Sequence, residues 1–180
     1  MIYAFLADGF EEIEALCPID IMRRAGLTVT TVGIGKREIV GAHGITVCAD
    51  ISDSELCFGD IELIFLPGGM PGTKNLDASQ AVHKAIDLAI EQNAYIAAIC
   101  AAPMILGKRG ILNGKNAVCY PGFEAYLDGA AVSADKKLVT DGKIITAKGM
   151  GVATELGLEL VRILCGTEKS DALRKAIIAE

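Results

Sequence analysis

A three-layer α/β sandwich around a mostly parallel sheet is the fold this sequence predicts. Three observations carry it. Short β-type runs alternate with helical segments along the chain, the pattern of strand–helix–strand units. The cores of IELIFLPGG (61–69) and YIAAI (95–99) are unbroken apolar runs, as strands covered on both faces are. The chain of 180 residues, 52% apolar and 22% charged, suffices for one sizeable core, and it reads as one domain over residues 1–180.

Each element has its own signal. IYAFLAD (2–8) is a strand, and Glu12–Ala25 is a helix stopped by Gly26. Pro18 lacks the N–H that would reach the Glu14 carbonyl, which predicts an irregular helix there. LTVTTVGI (27–34) is strand-like, and GITVCAD (44–50) is a short extra strand. After IELIFLPGG, Asp77–Gln92 reads as one helix, with Ala81, Ile86, Leu88 and Ile90 available for a core face. YIAAI is followed by a short helix in AAPMILGKRG, then by a strand in NAVCY (116–120). KLVTDGKIITA carries β-branched runs on either side of Asp141-Gly142, a hairpin signal. Val152–Leu164 and the amphipathic Thr167–Ala179 close the chain as helices.

Composition excludes several functions. A net charge of -6 without a Lys/Arg cluster beyond Lys136–Lys137 argues against nucleic acid. The apolar run at the N-terminus is only about five residues, too short for a signal peptide or a membrane span. The six cysteines show no CxxC spacing, so they read as reduced thiols of a cytoplasmic protein. His43 and His83, the two histidines, lack ligand spacing to any cysteine and read as surface or loop residues, so no metal site is expected. No cofactor motif is present either.

Chemistry concentrates where strands end, because ligands of open α/β sheets bind beyond the carboxyl ends of the strands. In LPGGMPG (66–72), Gly68 and Gly69 let the backbone approach a ligand closely. In AAICAAP (97–103), Cys100 lies among alanines. It reads either as core filler, since free cysteines are usually buried, or as a nucleophile on a strand-to-helix turn that tolerates only small neighbours. In the second reading the helix dipole favours thiolate, and the N–H groups of Gly69 and Ala101 stabilise an oxyanion. The other cysteines, 17, 48, 57, 119 and 165, read as structural. Glu11 and Glu12 suit a first helical turn, whereas Glu14 sits among Ile13, Ala15, Leu16 and Cys17. It is either a solvated helix residue or a buried acid with a raised pKa that can shuttle a proton.

Together, EEIEALCPIDIMRRAG, LPGGMPG, AAICAAP and KLVTDGKIITAKGMGVATELGLELV resemble the ThiJ/PfpI superfamily, in the branch that holds the Parkinson's-linked human protein deglycase. The resemblance runs nearly end to end. It implies a flavodoxin-like sandwich of the class I glutamine amidotransferase type, with a nucleophile elbow at Cys100 and a homodimeric assembly. It assigns Cys100 as the reactive cysteine, Glu14 as its acidic partner, and the N–H groups of Gly69 and Ala101 as the anion pocket. Gly68, Tyr120 and Lys148 are candidates to line that pocket.

Activities known in the branch are glutathione-independent conversion of methylglyoxal to lactate, protein deglycation, and redox-sensing or chaperone-like protection. The implied function is therefore cofactor-free processing of small dicarbonyls or glycated substrates, with an oxidisable-cysteine stress protein as the alternative. Departures narrow it. Peptidase-like members carry His after the nucleophile where this chain has Ala101, so peptide hydrolysis lacks its general base. Tyr120 stands where the human relative has a histidine, and Lys148 where it has an arginine.

Overall fold

The computed structural model describes residues 1–179. Seven strands form the central sheet: β1 (Ile2–Leu6), β2 (Val29–Gly33), β5 (Ile51–Ser52), β6 (Leu63–Leu66), β7 (Tyr95–Ile99), β10 (Leu138–Asp141) and β11 (Ile144–Ala147). Their order is β10-β11-β7-β6-β1-β2-β5, and every pairing is parallel except the β10–β11 hairpin. Two small pairs lie outside it. One is the antiparallel β3 (Glu38–Val40) with β4 (Thr46–Cys48); the other is β8 (Asn116–Ala117) with β9 (Ala131–Val132).

The strand period of two sorts the core into two halves. Tyr3, Phe5, Ile64, Leu66, Ile96 and Ala98 face one side. There they meet α2 (Gly72–Asp77), α3 (Gln80–Glu91) and α4 (Pro103–Lys108) through Leu76, Val82, Ala85, Ile86, Ile105 and Leu106. The alternate residues Ile2, Ala4, Leu63, Phe65, Ala97 and Ile99 face α1 (Glu12–Arg24), α5 (Ala153–Cys165) and α6 (Thr167–Ala176). Two helical layers over one sheet make the three-layer, flavodoxin-like sandwich. Each buried Leu, Ile or Phe contributes about 1.5–3 kcal/mol, so both faces are needed to outweigh chain entropy.

Local differences from the sequence reading have physical causes. The helix expected over 77–92 begins later, as α3 from Gln80, and a separate helix precedes it over Gly72–Asp77. Helix α2 ends at Asp77, and Ser79 caps α3 by accepting the Val82 N–H at 3.5 Å. The buried face of α3 is Val82, Ala85, Ile86 and Ala89, at spacings of three and four, and Ile90 is left half-exposed at 49%. Pro18 does not interrupt α1, which runs unbroken to Arg24. Only Asn116–Ala117 of NAVCY is extended, and it joins β9 rather than the main sheet. GITVCAD supplies β4, whose partner β3 is a three-residue strand with one buried side chain. The last helix stops at Ala176.

Helix α1 is pressed onto α5, where Gly157 leaves room for Ile21: a Cβ there would lie 2.8 Å from Ile21 Cδ1. This contact presents the N-terminal turn of α1 to the ends of β6 and β7.

Candidate active site

Strand order reverses at β1. The chain passes from β1 to β2 on one side and returns to β6 on the other. The crevice at such a switch point opens at the carboxyl ends of the strands. Three segments leave the sheet there: Ala7–Glu14 after β1, Pro67–Gly72 after β6 and Cys100–Pro103 after β7.

Cys100 follows the last residue of β7 and has φ 64°, in the left-handed region that costs a non-glycine residue about 1 kcal/mol. Hydrogen bonds hold it in that conformation. Its N–H donates to the Ala147 carbonyl of β11 at 2.8 Å, and its own carbonyl accepts the Tyr120 N–H at 2.8 Å. Ala101 and Ala102 are fully buried behind the turn, where larger side chains would not fit. The thiol itself is half-buried and free. The backbone N–H groups of Gly69 and Ala101 face its sulfur, and among the described residues neither donates to another backbone carbonyl.

The glycine turn is shaped by close approach. Glu11 N–H donates to the Gly68 carbonyl at 2.9 Å, and Gly72 N–H to the Gly9 carbonyl at 3.0 Å, interlocking the loops after β1 and β6. Gly69 has φ 90°, and a Cβ on it would lie 2.7 Å from the Gly9 carbonyl oxygen. At Gly68 a Cβ would lie 2.5 Å from the Cys100 Cβ and would strike Glu14 Oε2. The one missing methyl group at residue 68 is the space in which acid and thiol meet.

Glu14 is buried at 2% exposure, so the embedded reading holds and the solvated one does not. Its Oε2 has no hydrogen-bond partner. The polar groups nearest its carboxyl are the Cys100 thiol and the N–H groups of Gly68 and Met150. Burial pushes its pKa up to about 7, with Glu11 adding a smaller push, against the lowering effect of those neighbours.

A helix dipole alone would favour thiolate, but the thiol moves the other way. Burial, then the neighbouring Glu14 carboxylate, raises Cys100 to about 12, and the two N–H groups recover only part of that. The helix dipole invoked from sequence is weak here because α4 has six residues and begins at Pro103. Two such groups titrate as a pair. The form with thiolate and protonated Glu14 has the same proton count as thiol with carboxylate, so moving one proton within the pair converts one into the other.

The sequence reading missed two neighbours of the pair. Met150 offers its N–H to Glu14, and Gly149 abuts the acid: a Cβ there would be 3.6 Å from Glu14 Oε1 and 3.3 Å from Tyr120 Cδ2. Tyr120, half-exposed at 50%, and Lys148 line a cavity of about 380 Å³ beside Gly149. Thr146 fixes that wall, since its buried Oγ1 accepts the Val118 N–H at 3.0 Å. Lys148 Nζ donates to the Ala134 carbonyl.

His43 is a loop residue, as expected, but it is not isolated. Its Nδ1 lies 3.0 Å from Glu12 Oε2 and 3.4 Å from Glu11 Oε2, and its backbone N–H donates to Glu12 Oε1 at 2.8 Å. Hydrogen bonding to Glu12, then the charges of Glu11 and Glu12, raises the His43 pKa. Burial opposes ionisation of Glu12, yet the bonds from His43 and Ile45 hold its pKa below the usual value. These three side chains could hold a cation by distance, but backbone and ring donors already occupy the Glu12 oxygens.

The sequence matches the DJ-1/PfpI family over residues 1–163. It is 33% identical over 175 residues to protein dj-1beta of Drosophila melanogaster, covering 96% of this chain and 94% of that protein. It is 29% identical over 167 residues to glutathione-independent glyoxalase DJR-1.2 of Caenorhabditis elegans, covering 93% and 89%. Protein DJ-1 homolog B of Arabidopsis thaliana is 37% identical, and there the match covers 92% of this chain but 38% of the longer plant protein. The crystal structure of Drosophila melanogaster DJ-1beta superposes with a TM-score of 0.95 at 31% identity, covering 99% of this chain and 97% of the other. That of oxidized Toxoplasma gondii DJ-1 gives 0.88 at 30%, covering 98% and 97%. The chain belongs to the DJ-1/PfpI family.

Proposed function

We propose that this protein converts small 2-oxoaldehydes to 2-hydroxy acids without glutathione or any cofactor, using Cys100 as nucleophile and Glu14 as general base and acid. The observation that carries the reading is the buried Glu14 carboxyl, its Oε2 unpartnered, packed against a thiol that two backbone N–H groups face. A carboxyl poised near pH 7 suits proton transfer in both directions. Kinship with a protein named a glutathione-independent glyoxalase supports it.

The chemistry balances with water as the sole co-reactant. Glu14 takes the thiol proton, and Cys100 Sγ bonds to the aldehyde carbon of methylglyoxal. The resulting oxyanion lies against the N–H groups of Gly69 and Ala101. Glu14 hands the thiol proton to that oxyanion, giving a hemithioacetal and regaining its carboxylate. The carboxylate then takes the proton from the former aldehyde carbon and returns it to the former ketone carbon through an enediolate, while the hydroxyl proton passes from the first oxygen to the second. The first carbon is thereby oxidised to a thioester and the second reduced to an alcohol. Water cleaves the thioester, releasing lactate and restoring the thiol. The test is lactate formation from methylglyoxal in the absence of glutathione. Equal rates for wild type and Cys100→Ser would end the proposal.

One observation favours a second reading, an oxidant-sensing stress protein. A protonated Glu14 is a ready donor to a sulfinate on Cys100, which would stabilise the dioxidised thiol. Stable dioxidation at Cys100 after mild peroxide, found by mass spectrometry together with negligible turnover, would select that role. A homodimer working in the cytoplasm is the assembly and setting we propose. Among the described residues no helix is long and apolar enough to cross a membrane.

A further inference from the structure

The cavity beside Gly149 differs in charge from the molecule as a whole. The chain carries a net charge of -6, yet the cavity of about 380 Å³ is lined by Lys137 and Lys148 together with Tyr120, Pro121, Gly149 and Met150. Among the described residues neither lysine has a carboxylate within 4.0 Å. Their backbones are tied, Lys148 N–H donating to the Lys137 carbonyl at 2.9 Å, just beyond the paired ends of β10 and β11, and both residues line the cavity. Lys148 Nζ is further held on the Ala134 carbonyl, which leaves its remaining N–H groups for a ligand. Lys148 also lines an adjoining cavity with Cys119, Ala134 and Glu124, and Glu124 accepts the Gly122 N–H at 2.7 Å.

Cys100 and Glu14 do not line this cavity, but two of its lining residues abut the reacting pair. Gly149, one of its lining residues, faces Glu14 Oε1 and the Tyr120 ring, and Tyr120 N–H holds the Cys100 carbonyl. A substrate held at Cys100 and long enough to pass residue 149 would reach the wall that carries the two lysines.

We propose that Lys148, with Lys137 beside it, selects 2-oxoaldehydes whose chain ends in an anionic group, a carboxylate or a phosphate, over neutral ones such as methylglyoxal. This rests on the glyoxalase reading for the reaction and on the cavity for the selection. The reaction is unchanged: the aldehyde carbon is oxidised, the ketone carbon reduced and one water consumed. The anion takes no part beyond binding. A lysine several ångströms from an anion in a partly solvated site changes rates by about three- to tenfold.

Two measurements separate this proposal from the one it rests on. The first needs no turnover: alkylation of Cys100 by anionic iodoacetate and by neutral iodoacetamide, followed by peptide mass analysis. The ratio of the two rates is expected to fall about three- to tenfold in Lys137→Met/Lys148→Met, and added salt should shrink the difference. An unchanged ratio overturns the anion site. The second compares kcat/KM for methylglyoxal, 4,5-dioxopentanoate and 3-phosphooxy-2-oxopropanal. Wild type is expected to favour one or both anionic substrates, the better one showing whether carboxylate or phosphate fits, and the double variant to lose the preference. Equal preference in wild type and variant refutes the selection. Absence of turnover on all three, with the alkylation ratio still responding, refutes the glyoxalase reading and leaves the anion site standing.

Discussion

Replacing Glu14 by glutamine should make the protein more stable, and only above a definite pH. Burial raises the Glu14 pKa from 4.5 to about 7. Between these values the folded protein holds a proton that the unfolded chain has released, so folding stability declines as pH rises through the window. Below pH 4.5 both states are protonated and there is no penalty; above pH 7 the penalty is complete. A shift of that size, at about 1.36 kcal/mol per pH unit, corresponds to about 3 kcal/mol. Glu14→Gln keeps the shape and removes the titration. Urea unfolding of both proteins at pH 4, 6 and 8, at matched concentration, measures the effect directly. The variant should match wild type at pH 4 and exceed it by about 3 kcal/mol at pH 8. Groups common to both proteins cancel in the difference. Parallel stability curves across this range would show that Glu14 is not a desolvated acid, and the proton shuttle would lose its basis.

The same variant should separate thiol reactivity from turnover. With the Glu14 charge gone, the Cys100 pKa falls from about 12, so alkylation by iodoacetamide at pH 8 accelerates while lactate formation is lost. Gly68→Ala should abolish activity and destabilise the fold by about 1–3 kcal/mol, because the added methyl meets Cys100 Cβ and the Glu14 carboxyl; chemical denaturation and the lactate assay report the two effects. Glu12→Ala removes the acceptor for the His43 and Ile45 N–H groups. It should cost about 1–3 kcal/mol and speed hydrogen exchange at those two amides. In Glu12→Gln the His43 ring, followed by NMR, should titrate at lower pH than in wild type, since its largest upward influence is gone.

Features governed by neighbours in sequence were legible in advance. Small residues around Cys100 were compatible with a crowded turn, and the apolar residues flanking Glu14 made a buried acid one of two readings. Paired glycines at 68 and 69 announced close backbone approach. Features governed by topology were not. Nothing local to Gly149 or Met150 says that the segment after β11 will lie against α1, and only the sheet order brings it there. The loop holding His43 reaches Glu12 from the β3–β4 pair, which lies outside the main sheet, and that placement is local to neither residue. The direction of the Cys100 shift was open in the sequence, where a helix dipole favours thiolate and a charged Glu14 opposes it. The sequence shows a helix after the turn but not how short it is, nor how far burial outweighs it. At Ile90 the apolar residue was read as core, whereas the true face of α3 is set by Val82, Ala85, Ile86 and Ala89 on one side of a 3.6-residue spiral.

At position 100, folding and chemistry pull in different directions. The backbone there takes φ 64°, a conformation glycine adopts without steric cost and cysteine does not. Glycine would suit the turn better, while only a thiol can do the proposed reaction. Glu14 repeats the conflict, since an uncharged residue would sit more comfortably in its place. Optimising this protein for thermal stability without reference to its function would therefore remove its two most reactive groups first, and would report the loss as an improvement.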